Sequence, residues 1–442
     1  MLSRREPSLE CSKPIRPDWV PTIRGRSRPA RGPWMPAAGI GLALLAGACD
    51  ASAQEALQAS LADSDSAQAR RQAIINLGRQ NLKLGPVRLR FEAGLGTEFN
   101  SNVNNRNENP ESDLIFRPSV RTRAAWPVSD KNLLFLDVGV GYSAYVSNTE
   151  LSRYYLEPGT ELSFDLFIQD LVINFHDRPS LSQYAYTDPT VSGTGDYAQF
   201  ENTVGASVLW DLNEAQLKVG YDHVNYWELT SAGNRGDGST ELTYLSAGLE
   251  VQPELWTGID LGASWISYDS GQYPDAFQGS VGGFARYIVS DLMNVRLNAG
   301  YVTYSPDNSG AFAGLEDTGT WYAQLALNHR VNQYVSYVLS AQQGFSVSFY
   351  GGTYETYGAA LTPNWHVLRK ITLSTPLTYE HSTGVTGSEP EFDYYGAGLI
   401  ASRPLMERLN ASAYVNGYVK DSALATASYT VWVVGVGLRY AF

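Results

Sequence analysis

The chain reads as an all-β protein: a transmembrane antiparallel up-and-down β-barrel of about eighteen strands, with sixteen as the nearest alternative. Three observations predict it. From Pro86 onward, segments of roughly ten to fifteen residues alternate apolar with small or polar positions, the period of a β-strand. The breaks between those segments alternate long and short. The composition completes the pattern: 43% hydrophobic, with 28 Tyr, 10 Trp and 41 Gly at a mean hydropathy of -0.23. Such rings suit the two interfacial girdles of a membrane barrel, while no apolar run reaches the roughly 18 residues of a membrane helix.

Residues 1–53 read as targeting sequence, not fold. Eight basic residues between Arg4 and Arg31 precede the apolar stretch Ala37–Ala48, and Ala51-Ser52-Ala53 offers a small-x-small cleavage site. Both cysteines, Cys11 and Cys49, fall in this segment, so cleavage after Ala53 leaves no thiol. Met35 is an alternative start, in which case residues 1–34 are not translated. The formal net charge is -13, and removing residues 1–53 makes the remainder more acidic. That balance argues against nucleic acid as a partner, because phosphate binding needs a positive footprint.

Residues 54–85 are polar and rich in Ala and Gln, with Leu57, Leu61, Ile74, Ile75 and Leu82 at loosely helical spacing. They are expected to form a periplasmic extension, helical or mobile. The barrel takes residues 86–442. Its segments centre near 87–100, 113–126, 133–147, 153–166, 170–180, 197–210, 215–228, 240–252 and 256–269, then 276–289, 293–306, 318–330, 334–347, 355–367, 370–382, 392–403, 408–420 and 428–442. In the second, Phe116, Val120, Ala124 and Trp126 share one face and Arg117, Arg121 and Arg123 the other. An arginine face opposite an apolar face is what a lipid–lumen boundary requires.

Breaks after odd segments are mostly long, such as Ser101–Ser112, Leu181–Asp196 and Thr230–Ser239; those after even segments are short, such as Val128–Asn132 and Asp211–Glu214. Outer-membrane barrels combine short periplasmic turns with long external loops, and an even strand count puts both termini in the periplasm. Leu181–Asp196, the longest break, is the candidate to fold inward. In the last segment Val434, Val436, Leu438, Tyr440 and Phe442 share a face, and the chain ends on Phe442. This resembles the closing strand of bacterial outer-membrane barrels, which implies that Phe442 and Tyr440 form an assembly signal. The partners implied are outer-membrane lipid and the barrel-assembly machinery.

The opening strand Phe91-Glu-Ala-Gly-Leu-Gly-Thr-Glu-Phe-Asn-Ser-Asn-Val-Asn104 carries an aromatic–polar–Asn–Val ending, and Ser112-Asp-Leu-Ile-Phe-Arg-Pro-Ser-Val120 follows it. Both motifs resemble the first two strands of the porin-2-like outer-membrane β-barrel family. Members of that family are often associated with exopolysaccharide production. The resemblance therefore implies polysaccharide, or polysaccharide-export proteins, as further partners.

Catalysis finds little support. The five histidines are His176, His223, His329, His366 and His381, and the tempting pairs His176-Asp177 and His381-Ser382 are strand neighbours that point to opposite faces. Both pairs are expected to be polar rim residues. No spacing suggests a metal site, and no cofactor is implied. Transport is the reading that follows from about eighteen strands, which enclose an aqueous channel. Strand parity then turns Arg88, Arg90, Arg121, Arg123 and Arg439 onto one patch of the inner wall, beside inward Asp137, Glu157, Glu161 and Asp165. Two roles are open to these groups: cross-strand salt bridges that stiffen the wall, or a charged zone that selects solutes. Small hydrophilic solutes or saccharides are the expected cargo. The alternative is an outer-membrane structural or export component of an exopolysaccharide system.

Overall fold

The computed structural model describes residues 82–442, apart from 130, 231–236, 270, 272, 311–314, 349–352, 368–369 and 386–389. The signal segment and residues 54–81 of the expected extension lie outside the described residues. Leu82–Leu84, placed in that extension by sequence, is instead a short strand that folds back antiparallel onto Val87–Leu89.

Eighteen wall strands follow. They are β1 (Val87–Asn100), β2 (Asp113–Pro127), β3 (Leu133–Tyr145), β4 (Arg153–Leu156 with Glu161–Ile168), β5 (Leu171–Ser182) and β6 (Gln199–Asp211). Next come β7 (Ala215–Glu228), β8 (Gly238–Gln252), β9 (Leu255–Tyr268), β10 (Ala276–Ser290), β11 (Met293–Pro306) and β12 (Thr318–Arg330). The last are β13 (Val335–Val347), β14 (Thr353–Val367), β15 (Ile371–Ser374 with Leu377–Gly384), β16 (Phe392–Met406), β17 (Leu409–Ser422) and β18 (Tyr429–Ala441). Each pairs antiparallel with its sequence neighbours. β1 meets β18 from Glu92↔Ala441 to Asn100↔Val433, so the sheet closes on itself. Closure removes the edge strands of an open sheet, which is what lets a β-structure survive in lipid.

Two strands are interrupted for local chemical reasons. In β15, Pro376 has no amide to donate, yet Asn364↔Ser374 and Leu361↔Leu377 keep one register and the ladder resumes. In β4, Glu157-Pro158-Gly159-Thr160 bulges, with Gly159 at φ 81°, and the pairing to β3 shifts across it. That bulge lies directly over Gly139: Glu157 N donates to the Gly139 carbonyl at 2.8 Å, and a β-carbon on Gly139 would meet Glu157 Cβ at 2.6 Å. Only glycine leaves room for it.

The pleat sorts the two faces. Leu95, Val120, Trp321, Val436 and Leu438 stand exposed on the outer side. Arg121, Asp137, Asp222, Asp260, Asn298 and Glu98 belong to the opposite set, the inner one. On β3 Leu136, Val138 and Val140 fall on the outer set while Asp137, Gly139 and Gly141 are inward and buried. Core in the globular sense is confined to the inner wall and what folds onto it.

Candidate functional site

Three groups of side chains furnish the interior. The first sits near the barrel end that carries both termini, on β18, β1, β2 and β3. Cross-strand register puts Arg90 opposite Arg123, Glu92 opposite Arg121 and Arg123 opposite Asp137. Directly opposed like charges repel, and the acids resolve this. Asp137 takes Arg121 Nε at 2.6 Å and Nη2 at 2.9 Å, and Arg123 Nε at 2.9 Å. Glu92 takes Arg90 at 2.6 Å, Arg123 at 3.2 Å and Arg439 at 3.7 Å. The β4 bulge delivers Glu157 between Arg439 (2.9 Å) and Arg121 (3.4 Å). Four of the five arginines expected here therefore converge, with Asp137 and Glu157. Arg88 makes no ion pair with them among the described residues. Of the remaining acids, Glu161 lies opposite Asp137, and Asp165 sits further along β4, where Asn174 Nδ2 donates to it at 2.6 Å. Glu92 is the acid that the sequence reading missed, although it shares the parity of Arg88 and Arg90.

A second charged group stands on β7–β11, about half the circumference away. Lys218, Arg286 and Arg296 share the inner set with Asp260: Lys218 pairs with Ser246, Ser246 with Asp260, and Arg286 with Arg296. Lys218 lies 5.7 Å from the Tyr244 ring and Arg286 5.4 Å from Phe284, so both cations rest against aromatic faces. Arg296 is the fourth residue of its strand, as Arg90 is of β1, which sets the two groups at one level of the barrel.

The third group narrows the opposite mouth. Residues 183–198 fold inward across the wall of β16–β18 and β1–β4. Gln183 donates to Ser143 Oγ at 3.0 Å, and the Tyr184 ring lies 4.2 Å from the Arg117 guanidinium. The Tyr186 ring meets Tyr418 at 5.3 Å, and its carbonyl accepts from Tyr394 Oη at 2.8 Å. Burial pushes the Tyr186 phenol well above its ordinary pKa. Further on, Lys420 Nζ donates to Ser192 Oγ at 2.8 Å and Arg106 Nε to the Gly193 carbonyl at 3.0 Å, before Arg153 holds Asp196 at 2.6 Å. Under this loop Ile115, Val431 and Val433 are fully buried. Glu98 is clamped there by both Arg117 nitrogens (2.9 and 2.8 Å) and by Tyr414.

The histidines divide. His176 is not the rim residue expected: it is buried within the inner wall, bonded to Asn174 at 2.9 Å and, past Gly205, to Asp222 at 2.9 Å. Its sequence neighbour Asp177 belongs to the outer set. His381 sits near its strand end on the outer set, with Asp393 at 3.2 Å. Sequence spacing cannot reveal a pair such as His176 and Asp222, which arises from three-strand register.

No family model matches the chain, and no curated protein matches it either. The resemblance read from the first two strands thus rests on those motifs alone. Solved structures do match. The Acinetobacter baumannii protein OccAB3 aligns over 80% of this chain and 99% of its own at 10% identity and a TM-score of 0.46. The Pseudomonas aeruginosa outer membrane protein OpdK covers 80% and 99% at 13% identity and 0.46. OccK2 (OpdF) of the same organism covers 81% and 98% at 11% identity and 0.48.

Proposed function

We propose that this chain is an outer-membrane channel for small hydrophilic solutes, with both termini periplasmic. The observation that carries the reading is the closed eighteen-strand wall with an apolar outer face and a charged, polar inner face. Barrels of that strand number enclose water. The charges refine it. On the ion-paired wall Arg90, Arg121, Arg123 and Arg439 are neutralised locally by Glu92, Asp137 and Glu157. On the facing wall Lys218, Arg286 and Arg296 share the inner set with Asp222, Glu250 and Asp260, so charges of both signs line it. Dipolar solutes, saccharides among them, are the class that such a lining favours.

Purified protein in a planar bilayer tests this. A stable conductance from the purified protein alone is expected. A barrel that never conducts alone would favour the second reading, an outer-membrane export component of an exopolysaccharide system that opens on a partner. The inward loop at residues 183–198 is what speaks for that second reading. Assembly is testable separately. Phe442 N donates to the Phe91 carbonyl at 3.1 Å, and its ring packs edge-on to Tyr440 at 5.2 Å, at the closing seam. Phe442→Asp should deplete the heat-modifiable folded form on gels, and normal folding of that variant would remove the assembly-signal role.

A further inference from the structure

The wall departs from a regular ladder between β12 and β13. β12 pairs with β11 as far as Tyr304↔Thr318, and β13 pairs with β14 as far as Val347↔Thr353. The two strands pair with each other only from Arg330↔Ser336 to Ala323↔Gln343. Thr318–Tyr322 and Gly344–Val347 thus face each other along an unused stretch of ladder.

Side chains near this gap sit on the wrong face. Phe345 follows Gln343 by two residues and so belongs to the outer set, alongside outward Trp321 and Tyr357. Yet it is buried in an inner cluster with Ile266, Val302, Tyr304 and Tyr322, its ring centroid 6.3 Å from that of Tyr304. Thr320 is of the inner set and Glu355 of the outer, but Thr320 Oγ1 donates to Glu355 Oε1 at 2.8 Å. On an unbroken wall neither contact could form, because β13 would stand between them. The upper part of β13 has therefore leaned inward, behind β12, and narrows the lumen there.

We propose that this part of β13, Gly344–Ser346, is a gate with two packings: tucked, as seen, and zipped, with the ladder continued. The zipped register is fixed by the pairs already made: Tyr322↔Gly344, Trp321↔Phe345 and Thr320↔Ser346. In it Phe345 swings out beside Trp321, at the level of an aromatic girdle, and the inner cluster opens to the channel. Each state satisfies what the other leaves out. Tucking buries the Phe345 ring and makes the Thr320–Glu355 bond; zipping makes the missing backbone bonds and offers the ring to lipid instead. Two discrete packings of one element are what a switch needs, since packed interfaces do not deform continuously. Glu355 also accepts from Gln343 Nε2 at 3.2 Å and Tyr357 Oη at 3.3 Å, so it stays partnered in either state.

The gate rests on the channel reading, and the test separates the two. In a Thr320→Cys, Ser346→Cys double variant the thiols come opposite each other only when zipped. Oxidation in membranes should cross-link them and raise single-channel conductance above that of the reduced form, with dithiothreitol reversing the rise. Phe345→Ala, which removes the tucked ring without any cross-link, should lengthen open dwell times. Absence of a cross-link in a barrel with folded gel mobility overturns the gate, as does a cross-link with unchanged conductance in a barrel whose wild type conducts. If wild type, cross-linked and Phe345→Ala proteins all fail to conduct, the channel reading falls and the gate with it.

Discussion

The wall of β18, β1, β2 and β3 and the wall of β7–β11 hold similar residues at a similar level, and use them differently. On the first, arginines and carboxylates crowd neighbouring strands, and three acids take two or more cationic partners each: Asp137 two arginines, Glu92 three, Glu157 two. The side chains involved are mostly less than a fifth exposed, so their mutual attraction is weakly screened. On the second, Lys218, Arg286 and Arg296 stand on separate strands, the first two against aromatic rings, with Asp222, Glu250 and Asp260 spread among them. The difference teaches that a dense charge cluster is the less promising place to seek selectivity. Its field is spent internally on holding the seam between first and last strands, whereas charges spread over separate strands cancel one another less closely.

The comparison breaks most visibly at Asp137. Asp137→Ala leaves Arg121 and Arg123 without their shared carboxylate beside Arg90 and Arg439. Removing one partner of a buried ion network costs about 3–5 kcal/mol. Urea unfolding of the reconstituted barrel should register a loss of that size, and a loss below about 1 kcal/mol would mean that the network is a surface feature with no structural duty. Next in size is a check on the faces themselves. Val140→Arg puts a cation on the outer set and should cost roughly 2–4 kcal/mol if the site is at the bilayer midplane. Ser340→Arg, on the inner set of β13, should fold as the wild type does. Equal costs at both would undo the inside–outside assignment on which the two walls depend. Gly141 is unsuitable as that control, because a β-carbon there would overlap the Tyr155 ring.

Much of this was legible because a barrel is periodic. Once strand parity is known, each residue's face follows, and Arg90, Arg121, Arg123, Arg439 and Asp137 could be grouped from sequence alone. Glu157 stands in the sequence-derived acidic set, but the Pro158-Gly159 bulge that sets it over Gly139 belongs to three dimensions. His176 was misplaced because its partner Asp222 lies two strands on, and nothing in local spacing ties them. Lys218, Arg286 and Arg296 went unnoticed since each stands alone on its strand; only closure of the sheet and a common level make them a group. The tucked Phe345 is illegible for a stronger reason: there the structure breaks the parity rule that all the other assignments used.

The sharpest test of the comparison is also the smallest in stability. Arg286→Gln with Arg296→Gln removes two positive charges from the sparse wall while keeping hydrogen-bonding side chains of similar reach. Neither residue holds the closing seam, and isolated pairs in contact with water contribute about 0–1 kcal/mol, so unfolding should shift by no more than that. Ion selectivity should move toward cations, read as a displaced reversal potential across a salt gradient, because Asp222, Glu250 and Asp260 then remain with Lys218. Arg121→Gln with Arg123→Gln should give the converse: a clear loss of stability and little change in reversal potential, since Asp137 and Glu92 had already cancelled most of that charge. If instead the Arg121 and Arg123 pair moved the reversal potential and the Arg286 and Arg296 pair did not, the dense wall would be the selective one. The reading of the two walls would then have to be exchanged.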